Sequence, residues 1–345
     1  MFQTEIIHFL QLFESSLLNL FFKAINSAGY DYVYIPLLLI IIFGISFRKG
    51  LYLFHVSLWT VFATIFLKEY FALPRPCDVD FHVKLINRNY QNSAKFDSMG
   101  ASHFLGRLPD DVVTYFRNIK YYSYGFPSGH VSLNTALWIS ISQLFQQLWV
   151  KTLAIALIVL MPITRMYLGE HFLADVLGGL LIGVFFMLLF YYTVYKSDLM
   201  KDTFSRGVTF FPFSPKALIL LSYFFIIPLI IYWMLPPNHA SFPGNLLGIN
   251  VSFILLTVKG IPLDGGTPFQ KTIRVLIALF LFFNTNFLLK KLGFNESPSL
   301  AFIRASIVSF TMIYVTTGLS VKLHLYQRND RHNKHKAIKK LHKAA

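Results

Sequence analysis

The sequence predicts an all-α fold, a polytopic bundle of transmembrane helices, and three observations lead there. Hydrophobic residues make up 55% of the 345 positions and aromatic residues 17%. Charged residues make up only 14%, where a soluble domain carries about 25%. The mean hydropathy is +0.54, and apolar stretches that approach the ~20 residues needed to cross a hydrocarbon core recur along the chain. Backbone groups inside lipid must be satisfied within their own segment, so these runs mean helices. A disordered chain is excluded, and the composition disfavours an ordinary soluble enzyme. The single cysteine, Cys77, excludes an intrachain disulfide. The first residues lack the basic region, apolar core and small-residue cleavage site of a secretory signal, so insertion is expected to rest on retained spans.

Taken in order, residues 1–26 form an amphipathic element. Ile6, Phe9, Leu10, Phe13, Leu17, Leu20 and Phe21 recur at helical spacing over 3–25, with His8, Gln11, Ser15, Asn19 and Lys23 on the other face. It is either an interfacial helix or an extra span. The interfacial placement is preferred, because a polar strip is costly in lipid unless the bundle covers it. About nine spans follow, near 31–47, 51–70, 130–147, 151–169, 172–194, 216–235, 243–258, 274–290 and 301–320. The polar stretch 196–215 separates a first half, 27–196, which holds every chemically suggestive residue, from spans at 216–320 that read as mostly hydrocarbon-facing. A basic tail, 321–345, ends the chain.

Orientation follows the Lys/Arg content of the short connections. Arg48 and Lys49, Lys151, then Lys196, Lys201, Arg206 and Lys216, then Lys259, Lys271 and Arg274, fall on the same side as the tail. That side is predicted to be cytoplasmic. The net charge is +15, of which the tail supplies +7, with eight Lys and Arg against Asp330 alone. Nucleic acid is not the expected partner, since no nucleic-acid-binding motif accompanies the tail; a polybasic strip just after a last span is expected to meet anionic lipid headgroups. The opposite side carries a long loop, 77–123, with Asp78, Asp80, Asp97, Asp110 and Asp111 against Lys84, Arg88, Lys95, Arg107, Arg117 and Lys120.

Three segments on that outer side place charge where a plain helix end would not. In Lys68-Glu-Tyr-Phe-Ala-Leu-Pro-Arg75-Pro76, two cations lie two helical turns apart and the prolines end the helix. Snorkelling to headgroups is the alternative reading. In Gly125-Phe-Pro127-Ser128-Gly129-His130, a helix start could aim the N–H groups of Ser128 and Gly129 at an anion, and His130 could donate a proton. A serine N-cap beside an interfacial histidine is the alternative. In Thr164-Arg165-x5-His171-x3-Asp175, the carboxylate at i+4 could hold one ring nitrogen of His171 and leave the other free to attack; a structural pair or a proton relay is the alternative. Glu170 is expected to face water and has no assigned role. Lys68, Arg75 and Arg165 brought together would repel one another unless an anion lay between them, and phosphate has the charge and geometry for it. No Cys/His ligand spacing or carboxylate cluster supports a metal site.

Those motifs resemble the type 2 phosphatidic acid phosphatase superfamily, with Lys68-x6-Arg75-Pro76, Pro127-Ser128-Gly129-His130 and Thr164-Arg165-x5-His171-x3-Asp175 matching its three signatures in order. Thr164 departs from the usual Ser but keeps a hydroxyl. The likeness covers roughly 50–195, and the helix count is similar to that of the glucose-6-phosphatase branch. The resemblance implies a metal-independent phosphatase without a cofactor. It implies that His171 attacks phosphorus to form a phosphohistidine, that Asp175 holds its tautomer and that His130 is the proton donor. It also implies that Lys68, Arg75, Ser128, Gly129 and Arg165 bind the phosphate oxygens. The expected substrate is a lipid phosphate monoester or diphosphate, met at the outer membrane face, with 77–123 as its selector. A bacterial inner membrane with a periplasmic site is the expected location. A soluble sugar phosphate is the enzymatic alternative, and an anion transporter or inactive scaffold the non-enzymatic one.

Overall fold

A computed structural model describes residues 1–87, 96–119, 124–196 and 221–326. Arg88, Lys95 and Lys120 of the outer loop, Lys201, Arg206 and Lys216, the start of the expected span 216–235, and the tail beyond Tyr326 lie outside the described residues. Among the described residues the fold is all-helical and contains no strand. The first half contains α1 (Glu5–Gln11), α2 (Ser16–Ser27), α3 (Asp31–Ile40), α4 (Phe47–Phe71), α5 (Pro76–Val79), α6 (Asp110–Asn118), α7 (Gly129–Leu144), α8 (Leu148–Tyr167) and α9 (Leu173–Phe190).

Six helical segments among the described residues are long and apolar enough to cross a membrane. They are Phe47–Val79, Leu148–Tyr167, Leu173–Tyr195, Pro237–Lys259, Pro268–Lys291 and Pro298–Lys322. A seventh is reached if Ser16–Ser27 and Asp31–Ile45, bent by 53° at the break between them, count as one span. The protein is therefore a multi-pass membrane protein, and the expected count of about nine is not confirmed among the described residues. One reason is α7. Its 16 residues rise only ~24 Å, and it buries Ser132, Asn134, Thr135 and Ser140 as well as its apolar positions. It is an interior helix wrapped by others rather than a lipid-facing span.

The chain divides into two compact units, one of Met1–Ile35 and Leu53–Thr193, the other of Pro36–Tyr52 and Val194–Ala345. In the first, α7 packs on α9 at very short range because two glycines of α9 leave room. A Cβ on Gly179 would stand 2.7 Å from the Ser128 carbonyl, and one on Gly183 would stand 2.6 Å from the Ser132 carbonyl. The outer loop contributes to the same core: Cys77, Val79, Val83, Leu108, Val112, Val113 and Phe116 bury together with Ile7, Val131, Met161, Phe172 and Val176. Its described part is thus a folded cap rather than an open connection.

The amino-terminal element departs from a single helix over 3–25. It breaks after Gln11, and α2 restarts where Ser15 Oγ accepts the Leu18 N–H at 3.4 Å. Its polar strip is covered by protein in part, at Gln11 and Asn19, while Ser15 and Lys23 stay exposed. Gln11 Nε2 donates to the carbonyls of Lys84 at 2.8 Å and Tyr167 at 3.0 Å, and Tyr167 Oη donates to Asn19 Oδ1 at 2.7 Å. The apolar side is the exposed one, with Phe9, Leu12, Phe13, Leu17 and Leu20 open. The cost that favoured an interfacial placement is reduced where the bundle covers the strip, at Gln11 and Asn19.

The second unit is not a plain hydrocarbon-facing appendage. Helix Ser241–Lys259 lies against Pro298–Phe310 through Gly244 and Gly248, where an added Cβ would meet the carbonyls of Phe302 and Ser306 at 2.3 Å each. Arg274 and Arg304 are buried within the unit; Arg274 Nη2 donates to the Gly265 carbonyl at 2.9 Å and its guanidinium stacks 3.8 Å from the Tyr326 ring.

The α7–α9 contact yields a stability test. Gly179→Ala gains helix propensity of about 1 kcal/mol, but forces the Ser128 turn off α9 and overpacks a tight contact, at a cost of about 1–3 kcal/mol. A lowered melting temperature in detergent is expected, with Gly178→Ala, where the nearest atoms belong to the Phe126 ring edge, as the comparison.

Candidate active site

The three motif segments meet in the first unit. The last turn of α4 carries Lys68, and its ammonium donates to the carbonyls of Tyr124 at 2.6 Å and Gly125 at 2.8 Å. Two of three donors hold the 124–125 segment in place, and one remains for a ligand. Pro74 and Pro76 end the helix as expected. Arg75 then serves as the backbone cap of α5, its N–H donating to Asp78 Oδ2 at 2.7 Å. This returns the guanidinium into the bundle, where it is buried. Snorkelling to headgroups is not what these two cations do.

At the second motif, Ser128 occupies the N-cap position of α7, yet its hydroxyl makes no cap bond and is buried without a partner. The serine N-cap reading fails on that point. The Ser128 N–H is already committed to the Asp175 carbonyl at 2.9 Å, so of the two amides expected to face an anion only that of Gly129 lacks a backbone partner among the described residues. His130 Nε2 is likewise buried with no partner. Its ring is held edge-on by Tyr30, with centroids 4.7 Å apart and planes at 88°.

At the third motif, Asp175 Oδ2 accepts from the Phe172 N–H at 3.0 Å, capping α9, and lies 3.1 Å from His171 Nδ1. Both members are essentially inaccessible. With Nδ1 held by the carboxylate, Nε2 is the nitrogen left for chemistry. Thr164 stands where the resemblance expects Ser, and its hydroxyl is buried without a partner. Burial, reinforced by the charges of Arg75, Arg165 and Lys68, pushes the His171 imidazole in the α8–α9 connection well below the usual histidine range. The charges of all three motif cations thus reach this histidine.

Glu170 corrects the sequence reading. It does not face water; it is buried, and its carboxylate pairs with Arg75 and stands 3.5 Å from Arg165 Nη2, while its carbonyl accepts from Arg75 Nη1 at 3.2 Å. An acidic residue next to a histidine carries no periodic signal, so nothing in the sequence revealed this. Asn26 was also missed. At the end of α2, it accepts from Arg165 Nη1 at 2.6 Å through Oδ1. It continues the spacing of Asn19 by two turns, and the continuation of the polar strip was the signal that could have found it. Among the described residues no group of three His, Cys, Asp or Glu side chains could hold a metal ion.

The arrangement presents three cations, two nitrogen bases with unshared positions and several orphaned hydroxyl and amide donors around one buried carboxylate pair. It can hold a tetrahedral dianion, offer a neutral imidazole to it and supply a proton.

Residues 49–199 match the family described as the PAP2 superfamily. The chain is 34% identical over 82 residues to the lipid A 4'-phosphatase of Bacteroides thetaiotaomicron, a match that covers 23% of this chain and 36% of that protein. The chain thus spans about a third of the length of the curated relative it matches. It is also similar in structure to Aquifex aeolicus LpxE, at 21% identity and a TM-score of 0.41, over 55% of this chain and 94% of that one.

The buried carboxylate between two guanidinium groups yields a second stability test. Glu170→Gln leaves Arg75 and Arg165 facing each other uncompensated, and breaking a buried pair costs about 3–5 kcal/mol. A fall in melting temperature is expected at low salt, partly recovered by Glu170→Asp.

Proposed function

With residues 49–199 a domain of the PAP2 superfamily, we propose that the chain is a metal-independent membrane phosphatase that cleaves a lipid phosphate through a phosphohistidine. The observation that carries this reading is the buried His171–Asp175 pair at 3.1 Å with Arg75, Arg165 and Lys68 acting on the same imidazole. In the first step His171 Nε2 attacks phosphorus, a P–N bond forms and the ester P–O bond breaks. His130 gives its proton to the departing oxygen. In the second step His130 takes a proton from water, the hydroxide attacks phosphorus, and orthophosphate leaves as the P–N bond breaks. Asp175 keeps the proton of His171 on Nδ1 and stabilises the cation that forms. Lys68, Arg75, Arg165, the Ser128 hydroxyl and the Gly129 amide offset the charge on the equatorial oxygens.

The substrate class is a lipid phosphate monoester or diphosphate, and the named activity of the Bacteroides relative puts the phosphate of lipid A first among the candidates. The outer loop 77–123 is the proposed selector. The Lys/Arg distribution supports a site on the periplasmic side of a bacterial inner membrane, with the basic tail on the cytoplasmic side against anionic headgroups. A transporter needs cations for phosphate but has no use for two histidines with a carboxylate on one of them.

Purified protein in detergent with EDTA is expected to release orthophosphate from lipid A, ahead of phosphatidic acid, phosphatidylglycerophosphate, polyprenyl diphosphate and glucose 6-phosphate. Activity that survives His171→Ala, or that needs added metal, overturns the mechanism; a preference for glucose 6-phosphate overturns the substrate class.

The pH dependence has a definite sign. A depressed pKa keeps His171 neutral further into acid, so the acid limb of kcat/KM is expected below the ~6.5 of an unperturbed histidine. The overall profile is bell-shaped, with the falling limb set by loss of the His130 proton. A profile flat between about pH 5 and 9 with chemistry rate-limiting contradicts these roles.

A further inference from the structure

The corner between α2 and α3 lies outside the segment that matches the family, which begins at residue 49, yet it touches both sides of the site. Asn26 is buried and its Oδ1 accepts from Arg165 Nη1 at 2.6 Å. Its Nδ2 donates to Tyr30 Oη at 3.3 Å, which fixes the amide orientation, since a guanidinium can only donate. The Tyr30 hydroxyl also accepts from Asn87 Nδ2 of the cap at 3.2 Å. The Tyr30 ring then meets the His130 ring at 4.7 Å, edge-on. One residue earlier, Gly29 has no room for a side chain: a Cβ there would stand 2.3 Å from His130 Cδ2. His130 is therefore clamped between a glycine backbone and a tyrosine face, and the same corner orients Arg165.

We propose that Asn26, Gly29 and Tyr30 are positioning residues for the phosphate reaction, with Asn26 setting Arg165 for phosphate and Gly29 with Tyr30 setting the rotamer of His130. The corner couples the group that binds the anion to the group that supplies the proton. This rests on the proposed roles of Arg165 and His130, and it adds that the reaction centre is incomplete without the amino-terminal helices. The geometry favours positioning over a purely structural joint. α2 is already anchored to α8 through Asn19 and Tyr167, so the contacts at 26–30 are not needed to hold the element in place.

The two halves of the corner predict different kinetic losses. Asn26→Leu, which keeps the size and removes the acceptor, is expected to weaken orthophosphate binding about tenfold, as loss of a hydrogen bond to a charged group does. Calorimetry on the purified full chain reads this directly. Tyr30→Leu is expected to leave that affinity within about twofold and to lower kcat on lipid A in mixed micelles about tenfold, in the range of a displaced general acid. Tyr30→Phe, which keeps the ring face, is expected to restore most of kcat. Gly29→Ala is expected to act like Tyr30→Leu.

Equal orthophosphate affinity in Asn26→Leu and unaltered protein overturns the assignment of Asn26. Equal kcat in Tyr30→Leu and Gly29→Ala overturns that of the other two. Parallel loss of affinity, kcat and melting temperature in all three variants, without rescue by Tyr30→Phe, makes the corner merely structural and also overturns the proposal. Unaltered protein that binds no orthophosphate, or His171→Ala that keeps full activity, breaks the underlying phosphatase reading instead. If Asn26→Leu does not fold, Asn26→Ser, which retains a short acceptor, replaces it with the same expected direction.

Discussion

Asp175 is the group on which the rest of the site depends. A carboxylate at the start of an apolar helix is costly unless several partners share it, and here its oxygens and carbonyl reach three different places. Oδ2 accepts from the Phe172 N–H and lies against His171 Nδ1, and the main-chain carbonyl accepts from the Ser128 N–H. The first contact starts α9, the second orients one histidine, and the third fixes the start of α7, from which His130 projects. Gly125 completes the junction, since a Cβ there would stand 2.8 Å from the Pro74 carbonyl and 3.0 Å from Asp175 Oδ2. All three motif segments are thus tied to one residue. Close approach of α7 and α9 through Gly179 and Gly183 then holds that junction to a narrow geometry.

Charge balance around the junction follows from the same constraint. Three buried or half-buried cations would destabilise an unoccupied apolar bundle, and Asp175 alone does not offset them. Glu170 supplies the second carboxylate, bridging Arg75 and Arg165 from the residue next to His171. The polar strip of the amino-terminal helices contributes from the other side, with Asn26 on Arg165 and Gln11 and Asn19 on the end of α8. In this unit, polar surface turns inward and apolar surface turns outward, as expected for helices that meet lipid on one side and a polar site on the other.

The all-helical class, the membrane and the order of the three motifs were legible because each rests on local pattern: apolar runs, prolines that end α4, and a His/Asp pair one turn apart. The span count was less legible. Hydropathy cannot tell a helix buried by its neighbours from one buried by lipid, and α7, with four buried hydroxyl and amide side chains, is of the first kind. The sequence reads as a single 3–25 helix because Phe9, Phe13 and Leu17 sustain the apolar spacing, whereas Ser15 offers a cap that restarts the helix. The second half reads as bland because Arg274 looks like a loop cation until packing buries it, and Arg304, inside an apolar run, is buried as well.

The candidate residues were legible in the sequence itself, since Lys68, Arg75, Ser128, Gly129, His130, Arg165, His171 and Asp175 are picked out by residue type and spacing within short segments. Only the tertiary structure decided their division of labour. It spent the Ser128 amide on Asp175, left the Ser128 hydroxyl free, turned Glu170 inward and brought Asn26 to Arg165 and Tyr30 to His130, partners far from them in sequence. Spacing reports which side chains share a helix face. Whether a donor is still available depends on partners from elsewhere in the chain, and those are chosen by packing.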